Sequence, residues 1–365
     1  MLQQEKTMST VVLQAKDRLA DFRGDSGEIV RARSPLRISF AGGGTDIPAY
    51  YNERGGAVLS STINRYANVT LYPRDDRQVR VRSLDLGYTV NYGLEEKPSF
   101  DGVLDLAKAV IARIGLERGV DIDIRSDAPA GSGLGGSSAL TSALIGAIAE
   151  FKGVKFSPYE FAELNYVVER EDLGIAGGKQ DQYATTFGGF NHIEFSADSV
   201  LVNPLRIDNG LLNDLEAHLL LCFVGKVRSN LNLVTKQVDF YKEGRETTIA
   251  SMERIYQLVV EMKTALLRGK LDDFGRLLHE GYINKKLMNP HVTEGTKTDH
   301  LYTVALDKGA IGGKLLGAGG GGYFAIYCPT DCQHEVRAAL EAEGAQFADF
   351  TFDGHGLQVW RSKSR

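Results

Sequence analysis

A glycine-rich loop reads Pro129-Ala-Gly-Ser-Gly-Leu-Gly-Gly-Ser-Ser-Ala139 and runs directly into an apolar segment of small residues that extends to Phe151. The apolar segment predicts a buried helix, so the loop opens onto a helix N-terminus. Glycines at alternate positions leave backbone N–H groups free to point inward, and a helix N-terminus attracts anions through its N–H groups and its dipole. The loop therefore predicts phosphate binding, with Ser137 and Ser138 as further ligands for the phosphate or its Mg²⁺.

Two known nucleotide loops do not fit this one fully. The loop lacks the lysine of the GxxxxGK[ST] pattern, whereas Gly131, Gly133 and Gly136 formally satisfy the GxGxxG pattern of dinucleotide-binding proteins. Dinucleotide folds place a buried apolar strand before the loop, but residues 120–124 alternate between apolar residues and aspartate. A dinucleotide-binding oxidoreductase is therefore an alternative that the context disfavours, and a loop that only caps its helix is a second one.

The glycine content of the chain is high and unevenly distributed. Glycine supplies 41 of the 365 residues, above the roughly 7% of an average protein. Many of them lie in short patches at 42–44, 131–136, 174–178, 188–189 and 312–322. There is no collagen period and no serine or glutamine tract, which excludes fibrous and low-complexity classes. The patches indicate places where the backbone turns or approaches another group closely.

Charge and hydropathy exclude two classes of partner. The 42 basic and 47 acidic residues give a net charge of −5, whereas a general nucleic-acid surface is basic. No apolar run reaches the roughly 18 residues that a membrane-spanning helix needs. Residues 1–28 are polar and lack the apolar core of a signal peptide, so we expect a cytoplasmic protein. Cys222, Cys328 and Cys332 have no metal-binding spacing and are expected to be buried free thiols.

The elements around the loop predict the fold class. Strand-like patterns lie at 29–40, 57–71, 79–81, 88–92, 120–124, 219–224, 323–327, 347–352 and 357–360. Helical patterns lie at 104–114, 138–151, 247–267, 271–282, 300–308 and 336–343, and Ser157-Pro-Tyr-Glu160 is a capping box. Strands and helices mix without regular alternation, so we predict an α+β protein of two lobes, with a boundary near residues 205–215.

The loop resembles the central motif of the GHMP kinases, Pro-x-x-x-Gly-Leu-Gly-Ser-Ser-Ala. Gly136 stands where the family has its first serine, and the register places Ser137 on the serine that binds Mg²⁺ and phosphate. Ser138 then stands where alanine is common, which leaves the choice between the two serines open. Residues 35–46 look like the substrate motif of the family, and residues 312–322 look like its C-terminal motif.

This resemblance implies a two-lobed fold, with an N-terminal lobe like ribosomal protein S5 and a ferredoxin-like C-terminal lobe. The corresponding division is an extension at 1–28, an N-terminal domain at 29–210 and a C-terminal domain at 211–365. The resemblance also implies ATP and Mg²⁺ as cofactors and a monomer or homodimer. The residues expected to bind ATP are Gly131, Ser132, Gly133, Leu134, Gly135, Gly136, Ser137 and Ser138.

The catalytic candidates lie in the segment from Glu169 to Tyr183 and in the first strand. Phosphoryl transfer needs in-line geometry, neutralisation of the γ-phosphate and removal of a hydroxyl proton. By resemblance, Glu169 is the acidic Mg²⁺ ligand, and Asp181, ahead of an apolar segment that looks like the start of a strand, is the catalytic aspartate. Arg37 corresponds to the basic residue beside that aspartate, which it would keep ionised. Asp181 would act as the base or only position the hydroxyl.

The motif wording is most similar to the kinases of the D-glycero-D-manno-heptose 7-phosphate type. Galactokinases and mevalonate kinases carry Gly-Glu-His where this chain carries Gly43-Gly44-Thr45. We therefore expect ATP-dependent phosphorylation of a sugar phosphate, D-glycero-α-D-manno-heptose 7-phosphate, at its anomeric hydroxyl. The 1,7-bisphosphate would serve the synthesis of nucleotide-activated heptose and surface polysaccharide. Alternatives are a kinase for a free sugar such as L-fucose and an inactive nucleotide- or sugar-binding module.

The residues expected to contact the sugar phosphate share these motifs. They are Gly43, Gly44, Thr45, Asp46, Lys179, Gln182, Arg228, Ser229, Gly319 and Gly320. Asp46 would accept hydrogen bonds from sugar hydroxyls or cap a turn, and Lys179 would contact a phosphate or be a solvated lysine. A phosphate already on the substrate needs a cationic partner. Arg228 and Ser229 are the first candidates for it, and Lys285, Lys286 and Lys314 are others.

Overall fold

The computed structural model describes residues 28–225 and 232–363. Its strands are β1 (Glu28–Ala41), β2 (Gly56–Pro73), β3 (Gln78–Ser83), β4 (Thr89–Gly93), β5 (Val120–Ser126), β6 (Phe190–Phe195), β7 (Val200–Pro204), β8 (Leu219–Phe223), β9 (Gly312–Leu315), β10 (Tyr323–Tyr327), β11 (Gln346–Ala348) and β12 (Gln358–Lys363). They form two sheets. The predicted α+β class, with strands and helices mixed along the chain, is confirmed.

The helices lie between and over these sheets. They are α1 (Pro48–Arg54), α2 (Asp105–Ile114), α3 (Gly136–Lys152), α4 (Pro158–Val167), α5 (Gln180–Phe187), α6 (Asn209–His218), α7 (Leu233–Lys242), α8 (Glu246–Leu267), α9 (Leu271–Met288), α10 (Thr298–Asp307) and α11 (Gln333–Ala342). A π-helical turn spans Val168–Asp172 and directly continues α4. None of the helices in the described parts of the chain is long and apolar enough to cross a bilayer.

The larger sheet has the order β12-β1-β2-β5-β3-β4, with β6 paired to β2 and β7 paired to β6. Its strands are antiparallel to their neighbours except for the parallel pair of β3 and β5. Helix α3 packs on β1 and β2, and its small residues allow close approach: a Cβ on Gly146 would lie 2.8 Å from Val359. This packing fixes the N-terminus of α3 relative to β1, which carries Arg37.

The smaller sheet has the order β11-β8-β10-β9 and belongs to the second half of the chain. The two halves share one apolar core, since Leu36 and Phe40 of β1 pack in the same cluster as Val259 of α8 and Phe274 of α9. Helices of the second half therefore lie against the first sheet. The groove that results at the end of β1 holds the cavity described below.

Several sequence predictions are confirmed and a few are corrected. The capping box is present: Glu160 N–H donates to Ser157 Oγ at 3.3 Å, and Ser157 N–H donates to Glu160 Oε2 at 2.7 Å. Only the start of the strand predicted at 347–352 lies in a sheet, as β11. The segment after Asp181 belongs to helix α5 and is not the start of a strand. Gly188 is the C-cap of this helix.

The first and last described strands pair in the larger sheet. Strand β12 pairs with β1 in antiparallel register, from Glu28 opposite Lys363 to Arg33 opposite Gln358. A division of the chain at residue 210 remains a prediction, and the last strand of the predicted 211–365 domain belongs to the first sheet. The cysteines are free thiols, with Cys222 and Cys328 buried and Cys332 only half-buried, in contrast to the expected full burial of all three.

Candidate active site

A cavity of about 360 Å³ lies where the end of β1 meets the glycine loop, the π-helical turn, α5, α9 and β9. Its walls come from segments far apart in the sequence. Each of the motifs singled out by sequence contributes to them, namely residues 37–46, 131–138, 169–181 and 314–319. The structure therefore brings the predicted motifs together around one space, and the following paragraphs describe its walls in turn.

The glycine loop forms one wall. Gly131, Gly133 and Gly135 have φ of +73°, +82° and +73°, a region that glycine adopts without strain. No side chain caps α3, so the N–H groups of its first turn are available to a ligand. All of the predicted ATP-binding residues except Leu134 line the cavity. Leu134 is fully buried in the core instead, and its carbonyl accepts a hydrogen bond from Arg37 N–H at 2.9 Å.

A second glycine segment supports this loop from behind. A Cβ on Gly133 would lie 2.6 Å from Leu316 O, and a Cβ on Gly317 would lie 2.6 Å from Gly133 Cα. Tyr323 N–H donates to Ser132 O at 2.9 Å. The two segments touch backbone to backbone, which only glycine permits at this distance. Gly319 lines the cavity, whereas Gly320 does not and donates its N–H to Val292 O at 2.7 Å.

Arg37 and Asp181 form an ion pair inside the cavity. Arg37 Nε lies 2.8 Å and Nη2 lies 2.7 Å from Asp181 Oδ1. Arg37 Nη1 donates to Gly133 O at 2.5 Å, so the guanidinium connects the aspartate to the glycine loop. The Arg37 side chain is 3% exposed and that of Asp181 is 24% exposed. The aspartate is therefore held in place by a buried cation but remains accessible from the cavity.

Glu169 lies on the π-helical turn and is fully buried. Ser138 Oγ donates to Glu169 Oε2 at 2.6 Å, and Ser137 and Gln182 also donate to this carboxylate. A π-turn projects a side chain differently from a regular helix and is frequent at functional sites. It places Glu169 against the first turn of α3, which contains Ser137 and Ser138.

This donor set fits a magnesium ion. Among the described residues no group of three or more His, Cys, Asp or Glu side chains could hold a metal ion alone. Mg²⁺, however, is commonly bound by one or two protein oxygens together with substrate phosphates and water. Glu169 and Ser137 supply two such oxygens beside the helix N-terminus. The amide oxygen of Gln182, whose NH2 group donates to Glu169, is buried without a partner and is a further oxygen in this donor set.

Asp46 faces the opposite side of the cavity. Its Oδ1 accepts from Gly44 N–H at 2.9 Å, and its Oδ2 accepts from the backbone and side-chain N–H groups of Gln180, each at 3.1 Å. Burial raises the pKa of the Asp46 carboxyl above its ordinary value, although these hydrogen bonds act in the other direction. Gly178 packs so closely on Asp46 that a Cβ there would overlap the carboxylate. Gly43 and Gly44 line the same wall.

Three of the predicted sugar-contacting side chains point elsewhere. Thr45 is fully buried, and its hydroxyl bonds to the carbonyls of Gly42 and Ala57, so it holds the turn. Lys179 lies outside the cavity because its ammonium pairs with Glu163 at 3.1 Å and lies over the Tyr166 ring. Gln182 is likewise outside and instead positions Glu169.

The residues predicted to bind the phosphate of the substrate differ in where they lie. Arg228 and Ser229 lie outside the described residues. Lys285 and Lys314 both line the cavity, whereas Lys286 points away and pairs with Asp299 at 2.7 Å.

The cavity is also lined by residues that the sequence analysis did not single out, among them Gln180, Arg170, Gln237 and Met288. Gln180 adjoins Asp181 and Arg170 adjoins Glu169 in sequence, so their positions were a usable signal; Gln237 and Met288 have none.

Comparisons with known proteins agree with this geometry. The sequence model for the GHMP kinases N terminal domain matches residues 102–189, and that for the GHMP kinases C terminal region matches residues 262–346. A D-glycero-alpha-D-manno-heptose 7-phosphate kinase from Campylobacter jejuni is 37% identical, covering 91% of this chain and 99% of that protein. The L-fucokinase/L-fucose-1-P guanylyltransferase of Bacteroides fragilis is 28% identical, covering 92% of this chain and 39% of that protein.

A crystal structure supports the same relationship. The D-glycero-D-manno-heptose 1-phosphate kinase from Bacteroides thetaiotaomicron is 33% identical, and the match covers 92% of this chain and 100% of that one with a TM-score of 0.77. Sequence identity, coverage and fold therefore point to one family, in agreement with the motifs that meet in the cavity. The chain belongs to the GHMP kinases, a family of ATP-dependent kinases that act on small molecules.

Proposed function

We propose that the protein uses ATP and Mg²⁺ to phosphorylate D-glycero-α-D-manno-heptose 7-phosphate at its anomeric hydroxyl, giving the 1,7-bisphosphate. The observation that carries this proposal is the Arg37–Asp181 pair, which lies beside the glycine loop in a cavity shared with the substrate motif. The similarity to a heptose 7-phosphate kinase supports the choice of sugar. The related crystal structure is named for a heptose 1-phosphate, so the two names agree on a phosphorylated heptose and differ on the position of its phosphate.

The glycine loop would bind the phosphates of ATP. The free N–H groups of the first turn of α3 and the positive φ of Gly131, Gly133 and Gly135 form a concave backbone surface that suits an anion. Ser137, exposed at the start of α3, adds a hydroxyl. Ser137 and Glu169 would hold Mg²⁺, which neutralises charge on the β- and γ-phosphates when bound.

Asp181 would receive the proton of the attacking hydroxyl. Its carboxylate is accessible from the cavity, and its other face is held by Arg37. The guanidinium supplies a counter-charge beside this carboxylate, and a carboxylate oxygen is the group that would accept the proton. Arg37 would also stabilise negative charge that develops on the transferred group, because the same guanidinium lies against Gly133 O in the phosphate loop.

The acceptor sugar would lie against Gly43, Gly44 and Asp46. Glycines leave room for a ligand to approach the backbone, and Asp46 offers carboxylate oxygens to sugar hydroxyls. Gln180 Oε1 is buried without a partner next to this wall and could accept from a further hydroxyl. Because this wall and Asp181 line the same cavity, a sugar hydroxyl would lie between the acceptor site and the phosphate loop.

The experiment is an ATP-consumption assay of the purified full-length protein with Mg²⁺. The substrates are D-glycero-α-D-manno-heptose 7-phosphate, the same heptose without phosphate, L-fucose and D-galactose. We expect turnover with the heptose phosphate. ³¹P NMR of the product should show a new phosphate on the anomeric oxygen. Turnover with L-fucose alone would support the free-sugar alternative, and ATP binding without turnover of any sugar would support the inactive module. The GHMP kinase family argues against the dinucleotide-binding alternative.

We further propose that the enzyme acts in the cytoplasm, where ATP is available, as a monomer or homodimer. Light scattering of the purified protein at several concentrations distinguishes these two oligomeric states. A larger stable assembly would contradict the proposal.

A further inference from the structure

Two buried lysines in the cavity have no carboxylate partner among the residues that the structure describes. Lys285 on α9 donates to Leu315 O at 2.8 Å and Gly317 O at 2.5 Å. Lys314 on β9 donates to Ser39 O at 2.7 Å and lies 3.5 Å from Ser39 Oγ. Each ammonium carries three N–H donors, so each keeps at least one donor beyond these contacts. Both side chains line the cavity.

A third buried lysine shows what is unusual about this pair. Lys108, which is 4% exposed, forms ion pairs with Asp101 at 2.6 Å and with Asp105 at 3.0 Å. Lys285 and Lys314, each 7% exposed, form no ion pair with any carboxylate of residues 28–225 or 232–363. A buried ammonium without a counter-charge is unfavourable. A negative charge from a ligand would compensate both.

Burial lowers the pKa of both ammonium groups. It lowers the pKa of Lys285 to about 7, with the nearby Arg37 charge as a further cause. It also lowers the pKa of Lys314 well below its usual range, and the charges of Lys285 and Arg37 act in the same direction, opposed by Asp46. Lys285 and Lys314 therefore lie close to each other and to Arg37, and an anion bound beside the two lysines would favour their charged forms.

The position of Lys314 distinguishes the acceptor side of the cavity from the ATP side. Arg37 marks the ATP side because its backbone N–H donates to Leu134 O of the glycine loop. Ser39, which holds Lys314, lies two residues further along β1, a displacement of about 6–7 Å at the usual rise of a strand. A Cβ on Gly43, in the substrate motif, would lie 3.9 Å from Lys314 Nζ.

We propose that Lys285 and Lys314 bind the phosphate group that the acceptor sugar already carries, rather than a phosphate of ATP. This inference rests on the proposed function, because it assigns a subsite within the acceptor site. A phosphomonoester near neutral pH carries close to two negative charges and several acceptor oxygens, which match two ammonium groups with free donors. The phosphate ester is bound and not cleaved, so no bond is made or broken at this subsite.

The experiment measures substrate preference in Lys285→Met and Lys314→Met. For each variant, kcat/KM is determined for heptose 7-phosphate and for the same heptose without its phosphate, at saturating ATP. Lys286→Met is the matched control, since Lys286 adjoins Lys285 on α9 but pairs with Asp299 outside the cavity. A charge-assisted hydrogen bond contributes enough to change an equilibrium roughly 10- to 100-fold. We expect the preference for the phosphorylated sugar to fall by about that factor in both variants, with the KM for ATP little changed.

The outcomes separate this inference from the proposed function. Variants that lose activity equally with both sugars would show a structural role and overturn the inference, as would a rise confined to the KM for ATP. Wild-type protein that turns over only sugars without phosphate would overturn the proposed function as well. Where a variant does not fold, binding to the wild type is measured without ATP by thermal shift. Heptose 7-phosphate should then stabilise the protein more than heptose does, and inorganic phosphate should compete; absence of that preference overturns the inference.

Discussion

Arg37 and Asp181 are 144 residues apart in the chain, yet Arg37 Nη2 lies 2.7 Å from Asp181 Oδ1. Arg37 sits on strand β1, and Asp181 sits in the first turn of α5. The same guanidinium reaches Gly133 O of the glycine loop at 2.5 Å. One buried cation on a strand therefore contacts both the proposed phosphate site and the proposed proton acceptor.

Asp181→Asn is expected to lower kcat by about 10²- to 10⁴-fold, the usual contribution of a general base. Asparagine keeps an oxygen that can accept from Arg37, so the KM for ATP should change little, whereas loss of the carboxylate charge beside the buried Arg37 should lower the melting temperature. Steady-state kinetics and the melting temperature, compared with the wild type, check both expectations. Turnover within a few-fold of wild type would show that Asp181 only positions the hydroxyl.

Local patterns in the sequence were sufficient for much of the fold. The apolar run after the glycine loop predicted the buried helix α3. Strict alternation at 120–124 predicted β5, because a strand that is buried on one face has apolar residues at every second position. The motifs also predicted that residues near Arg37, Glu169 and Asp181 share one site. Their meeting in a single cavity agrees with that prediction, while their chemical roles stay predictions.

Side-chain direction could not be predicted in the same way. Lys179 and Gln180 are neighbours, yet Lys179 turns to Glu163 and Gln180 turns to Asp46. Thr45 was expected to contact the sugar but completes a turn with Ala57. In each case the partner lies on another element, and its position depends on how those elements pack. The sequence shows which residue types are present, but it does not show which side chains lie close together in the folded protein.

Glu169→Gln is expected to raise the Mg²⁺ concentration for half-maximal activity by at least about tenfold, since even neighbours of metal ligands change metal affinity about 10- to 100-fold. The substitution keeps the shape of the side chain but removes its charge beside Ser137 and Ser138. Glu171→Gln is the control, because Glu171 is exposed on the same π-helical turn. Titration of activity with Mg²⁺ is the measurement. Equal Mg²⁺ dependence of both variants would count against Glu169 as the ligand.

Gly133→Ala is expected to destabilise the protein more than Gly153→Ala and to raise the KM for ATP. Both glycines have positive φ, +82° and +69°, so each variant bears a left-handed strain of about 1–2 kcal/mol. Only at Gly133 would the new Cβ also meet backbone, 2.6 Å from Leu316 O, whereas at Gly153 it meets no heavy atom within 4 Å. Urea unfolding and ATP kinetics compare the two. Equal losses of stability would show that the contact between the glycine segments is not tight.

Binding of the sugar phosphate is expected to take up protons at pH 8. Lys285 has a pKa of about 7 in the free enzyme, so its amine is mostly neutral at pH 8 and becomes charged when an anion binds beside it. The sugar phosphate loses its second proton near pH 6 and is fully dianionic at pH 8, so it releases none. Lys285→Arg carries a permanent charge and should take up about one proton fewer, while Lys286→Arg should match the wild type. Isothermal titration calorimetry in buffers of different ionisation enthalpy gives the proton number. Identical uptake by wild type and Lys285→Arg would exclude Lys285 as the group that becomes charged.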